Sequence, residues 1–309
     1  DLKPKLSIIS YPAQAKKLGG SRIYLDEGEE MRLQDLLKSV AIASANDAAY
    51  SLAVYASGSE EAFVARMNEK AREIGCQNTS FRNSYGFDDP NHYTSAYDMA
   101  LMSAYLINKY PEVLNYTSQY EGYVREDDPE KKFWLVNTNK LVKFMKGVDG
   151  LKTGWTDGAK YCLTATILKN DVRFITVVMG CETPTKRSQD VVGLLNYATS
   201  NYDVSRYLKK GDIVTTLEDV LIQPSRYNVV VTEDINILKK KGEQIGDVRV
   251  DIKIDNLKIK GLEEVVGTIE IYYKGELYKT SDLKLLEQTH KSSFFDICIE
   301  VIKELFLVS

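Results

Sequence analysis

Two short triplets carry the chemistry that this chain can offer: Ser44-Ala45-Asn46 and Lys152-Thr153-Gly154. Acyl transfer to a serine needs a proton acceptor, and a lysine serves when burial and neighbouring cations lower its pKa. A second hydroxyl, such as that of Ser44, can relay that proton to a leaving amine. Asn46 offers both an amide donor and an acceptor, enough to orient a lysine and hold a substrate amide. Lys152 supplies positive charge for an anionic substrate terminus, and the Thr153 hydroxyl can hydrogen-bond to it. Gly154 has no side chain, so a substrate backbone can lie against it as an added strand. The first triplet alone is uninformative, because S-x-N arises about once by chance in such a chain. K-T-G is expected only roughly 0.05–0.1 times, and finding both together strengthens each.

Composition narrows the alternatives. His92 and His290 are the only two histidines, which leaves almost no room for a zinc site or a Ser-His-Asp triad. Net charge is −4 with pI ≈ 5.5, so there is no basic field for nucleic acid. Cys76, Cys162, Cys181 and Cys298 form no CxxC pair and read as small buried hydrophobes. Neither a metal nor a cofactor is expected. The 309 residues, 44% hydrophobic and 27% charged, fit an ordinary globular chain of about two domains.

The elements that must position the triplets follow from periodicity. Leu33, Leu36, Leu37 and Val40 repeat at helical spacing over 33–42. The pattern breaks at Ser44-Ala45-Asn46 and resumes at Asp47, a candidate N-cap for a helix reaching about Ala56. Ser59 starts the next helix, with Phe63, Met67 and Ile74 as its inner stripe and Gly75 at its end. A polar loop, 83–93, carries Gly86, Asp88 and His92, the last read as a hydrogen-bonded surface residue. Ser95 and Asp98 resemble a capping box for a helix bounded by Pro111. The runs 160–168 and 173–180 are rich in β-branched and aromatic residues, with Lys169-Asn170-Asp171-Val172 between them, so they predict an antiparallel hairpin. Helix returns at about 185–202, with Val191, Leu194, Leu195 and Ala198 inward. The first region, 1–203, is therefore α+β: helices packed on an antiparallel sheet.

From Gly211 to Leu286 short alternating runs recur, separated by Lys241-Gly242, Asp255-Asn256 and Lys274-Gly275. They predict a small β-sandwich over 207–288. In the segment 289–309, Phe294, Phe295, Ile297, Cys298, Val301, Ile302, Leu305 and Phe306 share much of one helical face, opposite Asp296, Glu300 and Glu304. It is too short and too charged to span a bilayer. Two placements fit: docking on its own domain or a partner, or lying peripherally on a membrane through residues 293–309, with lipid attraction weakened by the excess of acids.

S-x-N followed by K-T-G resembles the penicillin-recognising serine acyl transferases. Within them the chain is similar to the D-alanyl-D-alanine carboxypeptidases of low-molecular-mass penicillin-binding type. The matching stretches are GGSRIYLDEGEEM (19–31), IASANDAAYSLA (42–53), GSEEAFVARMNEKAREIG (58–75), HYTSAYDMA (92–100), KFWLVNTNKL (132–141) and GVDGLKTGWT (147–156). The likeness covers about Gly19 to Tyr202, with the β-rich region and amphipathic helix following in the family's order. It implies that Ser44, Asn46 and Lys152 are catalytic, and that Lys152, Thr153, Gly154, Trp155 and Arg187 bind substrate. Arg187 would hold the substrate's terminal carboxylate, and the Trp155 N–H would be one oxyanion-hole donor. The implied partners are peptidoglycan stem peptides ending in D-Ala-D-Ala and, for the complete enzyme, β-lactam antibiotics. The implied place is the extracytoplasmic face of a bacterial membrane or cell wall, after export.

One departure is large. The family's third motif, S-x-x-K, lies upstream of S-x-N, and residues 1–43 do not contain it. The sole match in the chain, Ser281-Asp282-Leu283-Lys284, falls in an alternating strand after K-T-G and is not expected to act. The chain is therefore expected to lack its front part and, as given, to be inactive. Trp155 also replaces the histidine or tyrosine common after K-T-G. A class A β-lactamase-like hydrolase or a non-catalytic wall-binding module are the competing readings, the β-rich tail weighing against the first.

Overall fold

The computed structural model describes residues 8–10, 12–170, 172–255 and 264–306. Asp171 and Asn256 of the expected turns, the helix end 307–309, and the side chains of Glu304 and Phe306 lie outside the described residues. The chain divides into two compact units, residues 1–200 and 201–309.

In the first unit β1 (Ile8–Ser10) pairs antiparallel with β2 (Glu30–Arg32). The longer helices that precede the main sheet are α1 (Leu33–Ala43), α2 (Asn46–Ser57), α3 (Glu60–Ile74) and α4 (Ala96–Lys109). A short α5 (Leu114–Thr117) leads to the hairpin β3 (Glu121–Val124) and β4 (Phe133–Val136), and then to α6 (Leu141–Phe144). The main sheet is β5 (Val148–Thr156), β6 (Lys160–Lys169) and β7 (Val172–Cys181), antiparallel in that order, followed by α7 (Pro184–Asn201).

The core is split between two clusters. Leu33, Leu36 and Ile42 of α1, Ala45 and Ala48 beside them, and Ile23, Leu25, Met31, Val124 and Leu135 form the first. Leu163, Ala165 and Ile167 of β6 meet Val191 and Leu195 of α7 in the second. Each large side chain so buried contributes about 1.5–3 kcal/mol. Of the helical stripe read from sequence, Leu33 and Leu36 are buried and Leu37 and Val40 pack against them half-buried, while Ile42 joins the core as well.

Three local readings change. Ala45, not Asp47, is the N-cap of α2, and Asp47 sits within the first turn with its carboxylate employed elsewhere. Leu194 points to solvent (45% exposed), while Val191 and Leu195 are fully buried. The stripe Phe63, Met67 and Ile74 is only half-buried and lines, with Phe81, Met102 and Leu106, an apolar groove of about 420 Å³. The caps Ser59 and Ser95 do accept from the N–H groups of Ala62 and Asp98, each at 3.1 Å. Asp98 goes further, accepting from Asn78 N–H and the Thr79 hydroxyl at 2.7 Å and so tying α4 to the preceding loop.

The second unit contains β8 (Tyr202–Leu208), β9 (Ile213–Glu218), β10 (Ile222–Gln223), β11 (Arg226–Val231), β12 (Ile235–Lys240), β13 (Val248–Ile254), β14 (Gly267–Tyr273), β15 (Glu276–Leu285), β16 (His290–Lys291) and α8 (Phe294–Phe306). Five strands form a sheet in the order β13-β14-β15-β11-β9, while β8 pairs with β12 and β10 with β16. Ile235 and Ile237 of β12 share one core with Val229, Ile269, Ile271 and Leu283 of the five-stranded sheet, giving two apolar layers. Strands β8 and β12 were not legible as strands, because their residues alternate only weakly. Ser281 lies in β15, buried with no hydrogen-bond partner for its hydroxyl. A sheet interior gives it no access to a substrate. Among the described residues, no helix is long and apolar enough to cross a membrane.

Candidate active site

The S-x-N triplet occupies the turn between α1 and α2. Ser44 ends α1 in the left-handed region (φ 59°), its N–H donating to the carbonyl of Val40 at 3.2 Å. Asn46 opens α2. Its backbone N–H donates to Ser21 C=O at 2.8 Å and its Nδ2 to Gly19 C=O at 2.9 Å. Asp47, 1% exposed, accepts from the backbone N–H groups of Ile23 (3.2 Å), Leu25 (3.3 Å) and Ala48 (2.9 Å). One carboxylate thus binds the segment 19–25 to the start of α2. Gly20 has no room for anything larger: with φ +73°, a Cβ there would stand 2.7 Å from Asn46 Nδ2.

The K-T-G triplet lies on β5, an edge strand whose partner among the described residues is β6. Opposite Lys152, Thr153 and Gly154 in the ladder stand Thr164, Leu163 and Cys162. Thr153 donates its hydroxyl proton to Thr138 Oγ1 at 2.6 Å, and the Thr138 N–H donates to Ile42 C=O at 3.2 Å. Thr138 therefore connects K-T-G to the end of α1, two residues before Ser44. Sequence reasoning missed it, as it missed Asp47.

These parts line one groove of about 850 Å³, whose walls include Ser44, Asn46, Thr138, Lys152, Thr153, Gly154, Trp155 and Arg187. Every site residue read from sequence is there. Ser84 to Asp88 of the polar loop line the same groove. Aromatic pairs line it as well: Tyr85 and Phe87 with ring centroids 5.0 Å apart, Trp155 and Tyr161 at 6.0 Å.

The electrostatics are lopsided. Lys152 Nζ donates to Thr153 C=O at 2.9 Å. Burial, with a smaller contribution from nearby Arg187, brings its pKa down to about 8. Arg187, only 9% exposed at the start of α7, has its guanidinium held below its usual pKa by burial. Its Nε is buried without a hydrogen-bond partner. Among the described residues neither cation has a carboxylate within ion-pair distance. Two desolvated cations with a spare donor form a place for an external anion, and the planar guanidinium suits a carboxylate.

Other candidates fall elsewhere. His92 is half-buried outside the groove; its Nδ1 accepts from Arg82 N–H at 3.3 Å, and burial lowers its pKa. All four cysteines are free and half-buried rather than fully so. Among the described residues no cluster of His, Cys, Asp or Glu could hold a metal ion.

Residues 2–183 match a family model described as D-alanyl-D-alanine carboxypeptidase, Peptidase S11. The chain is 44% identical over 284 residues to D-alanyl-D-alanine carboxypeptidase DacF of Bacillus subtilis, covering 91% of this chain and 72% of that one. Its fold is similar to that of penicillin binding protein 5 from Haemophilus influenzae, with a TM-score of 0.73 and 27% identity over 92% and 83% of the two chains. It is also similar to penicillin-binding protein D2 from Listeria monocytogenes in its ampicillin-bound form, with a TM-score of 0.54 and 30% identity over 62% and 75%.

Proposed function

The chain belongs to the D-alanyl-D-alanine carboxypeptidase family, and we propose that its groove binds peptidoglycan stem peptides by their D-Ala-D-Ala end. The observation that carries this reading is the cation pair of half-buried Lys152 and buried Arg187 in one groove, with no carboxylate at ion-pair distance among the described residues. The peptide's terminal carboxylate would fill that vacancy of charge. Its backbone would add to the free edge of β5 along Gly154, and the Thr153 hydroxyl would meet the carboxylate. In acyl transfer the Trp155 N–H would donate to the developing oxyanion. Ser44, Asn46 and Lys152 would serve proton transfer to the departing D-alanine. The serine nucleophile of S-x-x-K is not supplied by residues 1–43. What these 309 residues provide is recognition of the peptide and of β-lactams that mimic it.

The chain has two tryptophans, and a Trp134→Phe variant leaves Trp155 as the sole fluorescent reporter in the groove. Titration with an N-acylated peptide ending in D-Ala-D-Ala is expected to give a saturable change in its emission. Mass spectrometry after incubation with penicillin is expected to show no added mass. A flat titration sinks the reading of the groove, and a penicillin adduct shows that a nucleophile has been overlooked.

Action on peptidoglycan places the family outside the cytoplasmic membrane, and α8 suits contact with its outer leaflet. Phe294, Phe295 and Leu305 are 75%, 77% and 72% exposed on that helix. Burial at a lipid interface would return about 25 cal/mol for each Å² of such surface. Removing residues 290–309 should at least halve co-sedimentation with phosphatidylglycerol-containing vesicles. Unchanged sedimentation would assign the helix to a protein partner.

A further inference from the structure

The two walls of the groove are tied together at one end. The loop wall is stiffened from within: Asn83 Oδ1 accepts from the N–H groups of Gly86 (2.6 Å) and Phe87 (3.0 Å). Glu60 Oε1 holds both the N–H and the hydroxyl of Ser84, at 3.0 and 2.9 Å. Just beyond, Asp88 Oδ2 accepts from Gly158 N–H at 3.2 Å, in the turn joining β5 to β6. The Thr156 hydroxyl and the Asp157 N–H also reach this carboxylate, and together these donors hold its pKa below the usual carboxylate range. Thr156 Oγ1 in turn accepts from Ala159 N–H at 2.9 Å, so the turn is internally braced. Gly158 itself is close-fitting, for a Cβ there would meet Asp88 Oδ1 at 3.1 Å.

The consequence concerns β5. Among the described residues it has a ladder partner on one side, and a peptide added along its free edge would share the groove with Ser84–Asp88. An unsupported hairpin tip can splay, and a splayed edge misplaces the N–H and C=O groups that the peptide must pair with. We propose that Asp88 is a positioning residue: its carboxylate latches the β5–β6 turn to the Ser84–Asp88 loop and fixes the width of the peptide-binding gap. This rests on the reading of the groove as a D-Ala-D-Ala peptide site.

The test uses the 309-residue protein with Asp88→Ala and Asp88→Asn. Amide hydrogen exchange at residues 157–159 is expected to quicken at least tenfold in Asp88→Ala, with α1 and β6 unchanged. Affinity for the N-acylated D-Ala-D-Ala peptide, read from Trp155 emission, is expected to fall about 3- to 12-fold, the net value of one ordinary hydrogen bond at an exposed site. Asp88→Asn keeps a carbonyl acceptor for Gly158 N–H and should recover at least half of that loss on a logarithmic scale. Peptide affinity within twofold of wild type in Asp88→Ala overturns the latch while leaving the groove assignment intact. Faster exchange throughout α1 and β6 also overturns it, since Asp88 would then support the fold at large. Failure of the wild-type protein to bind the peptide removes the groove assignment, and the latch with it.

Discussion

Arg187→Ala is expected to weaken binding of a D-Ala-D-Ala peptide by roughly 10- to 150-fold, the worth of a charge-assisted bidentate contact of about 1.5–3 kcal/mol. Arg187 is 9% exposed, its Nε has no hydrogen-bond partner, and among the described residues its side-chain hydrogen bond is a long 3.4 Å approach from Nη2 to Ser188 Oγ. A buried cation left so poorly satisfied costs stability in the free protein, which a bound carboxylate would recover. The same reasoning predicts that Arg187→Ala does not lower stability. Arg187→Lys should rescue little, because an ammonium cannot present two parallel donors to one carboxylate. A peptide with an amidated C-terminus provides the control. Wild type and variant should bind it equally weakly, closing a double-mutant cycle in which the coupling belongs to the carboxylate. Equal losses for acid and amide peptides would remove Arg187 from the carboxylate site.

The motif residues were legible because each is fixed by short-range rules. S-x-N falls where a helical stripe breaks, and K-T-G enters a strand whose β-branched partners announce a hairpin. What brings them together is not local. Thr138 bonds to Thr153 of K-T-G and to Ile42, two residues before S-x-N, yet its own segment gives no hint of that role, since both partners are distant in sequence. Asp47 was read as an N-cap because Asp commonly caps helices. Its carboxylate instead collects N–H groups from residues 23 and 25, a demand created only when segment 19–25 lies against α2. The wall made by Ser84–Asp88 is the same kind of case: a polar loop by composition, and a wall of the groove only by tertiary placement. Strand β12 escaped notice because Ile235 and Ile237 bury on one side while lysines follow immediately, which shortens the alternation below a readable length.

Lys152→Met is expected to weaken carboxylate binding sharply while stabilising the protein, and the two effects have one cause. Burial lowers the Lys152 pKa from an ordinary 10.5 to about 8. Charging this ammonium is therefore harder in the folded chain than in the unfolded one, by at most about 3.4 kcal/mol at 1.36 kcal/mol per unit. Below pH 8 both states carry the proton and the full cost is present. Between about pH 8 and 10.5 the folded protein releases the proton while the unfolded chain keeps it, so stability rises with pH across that window. Methionine fills a similar volume without the charge, and loses only the bond from Nζ to Thr153 C=O, worth about 1 kcal/mol. The net gain at pH 7 should be about 1–2 kcal/mol, shrinking toward zero or reversing near pH 10.5. Urea denaturation of both proteins at pH 7 and pH 10 measures it, and an equal difference at the two pH values would show that the lysine is not strained. Peptide affinity must run the other way with pH. The free site holds its second positive charge only below about pH 8, so wild-type affinity should fall by up to tenfold per unit above it. In Lys152→Met the remaining weak binding should be flat from pH 6 to 9.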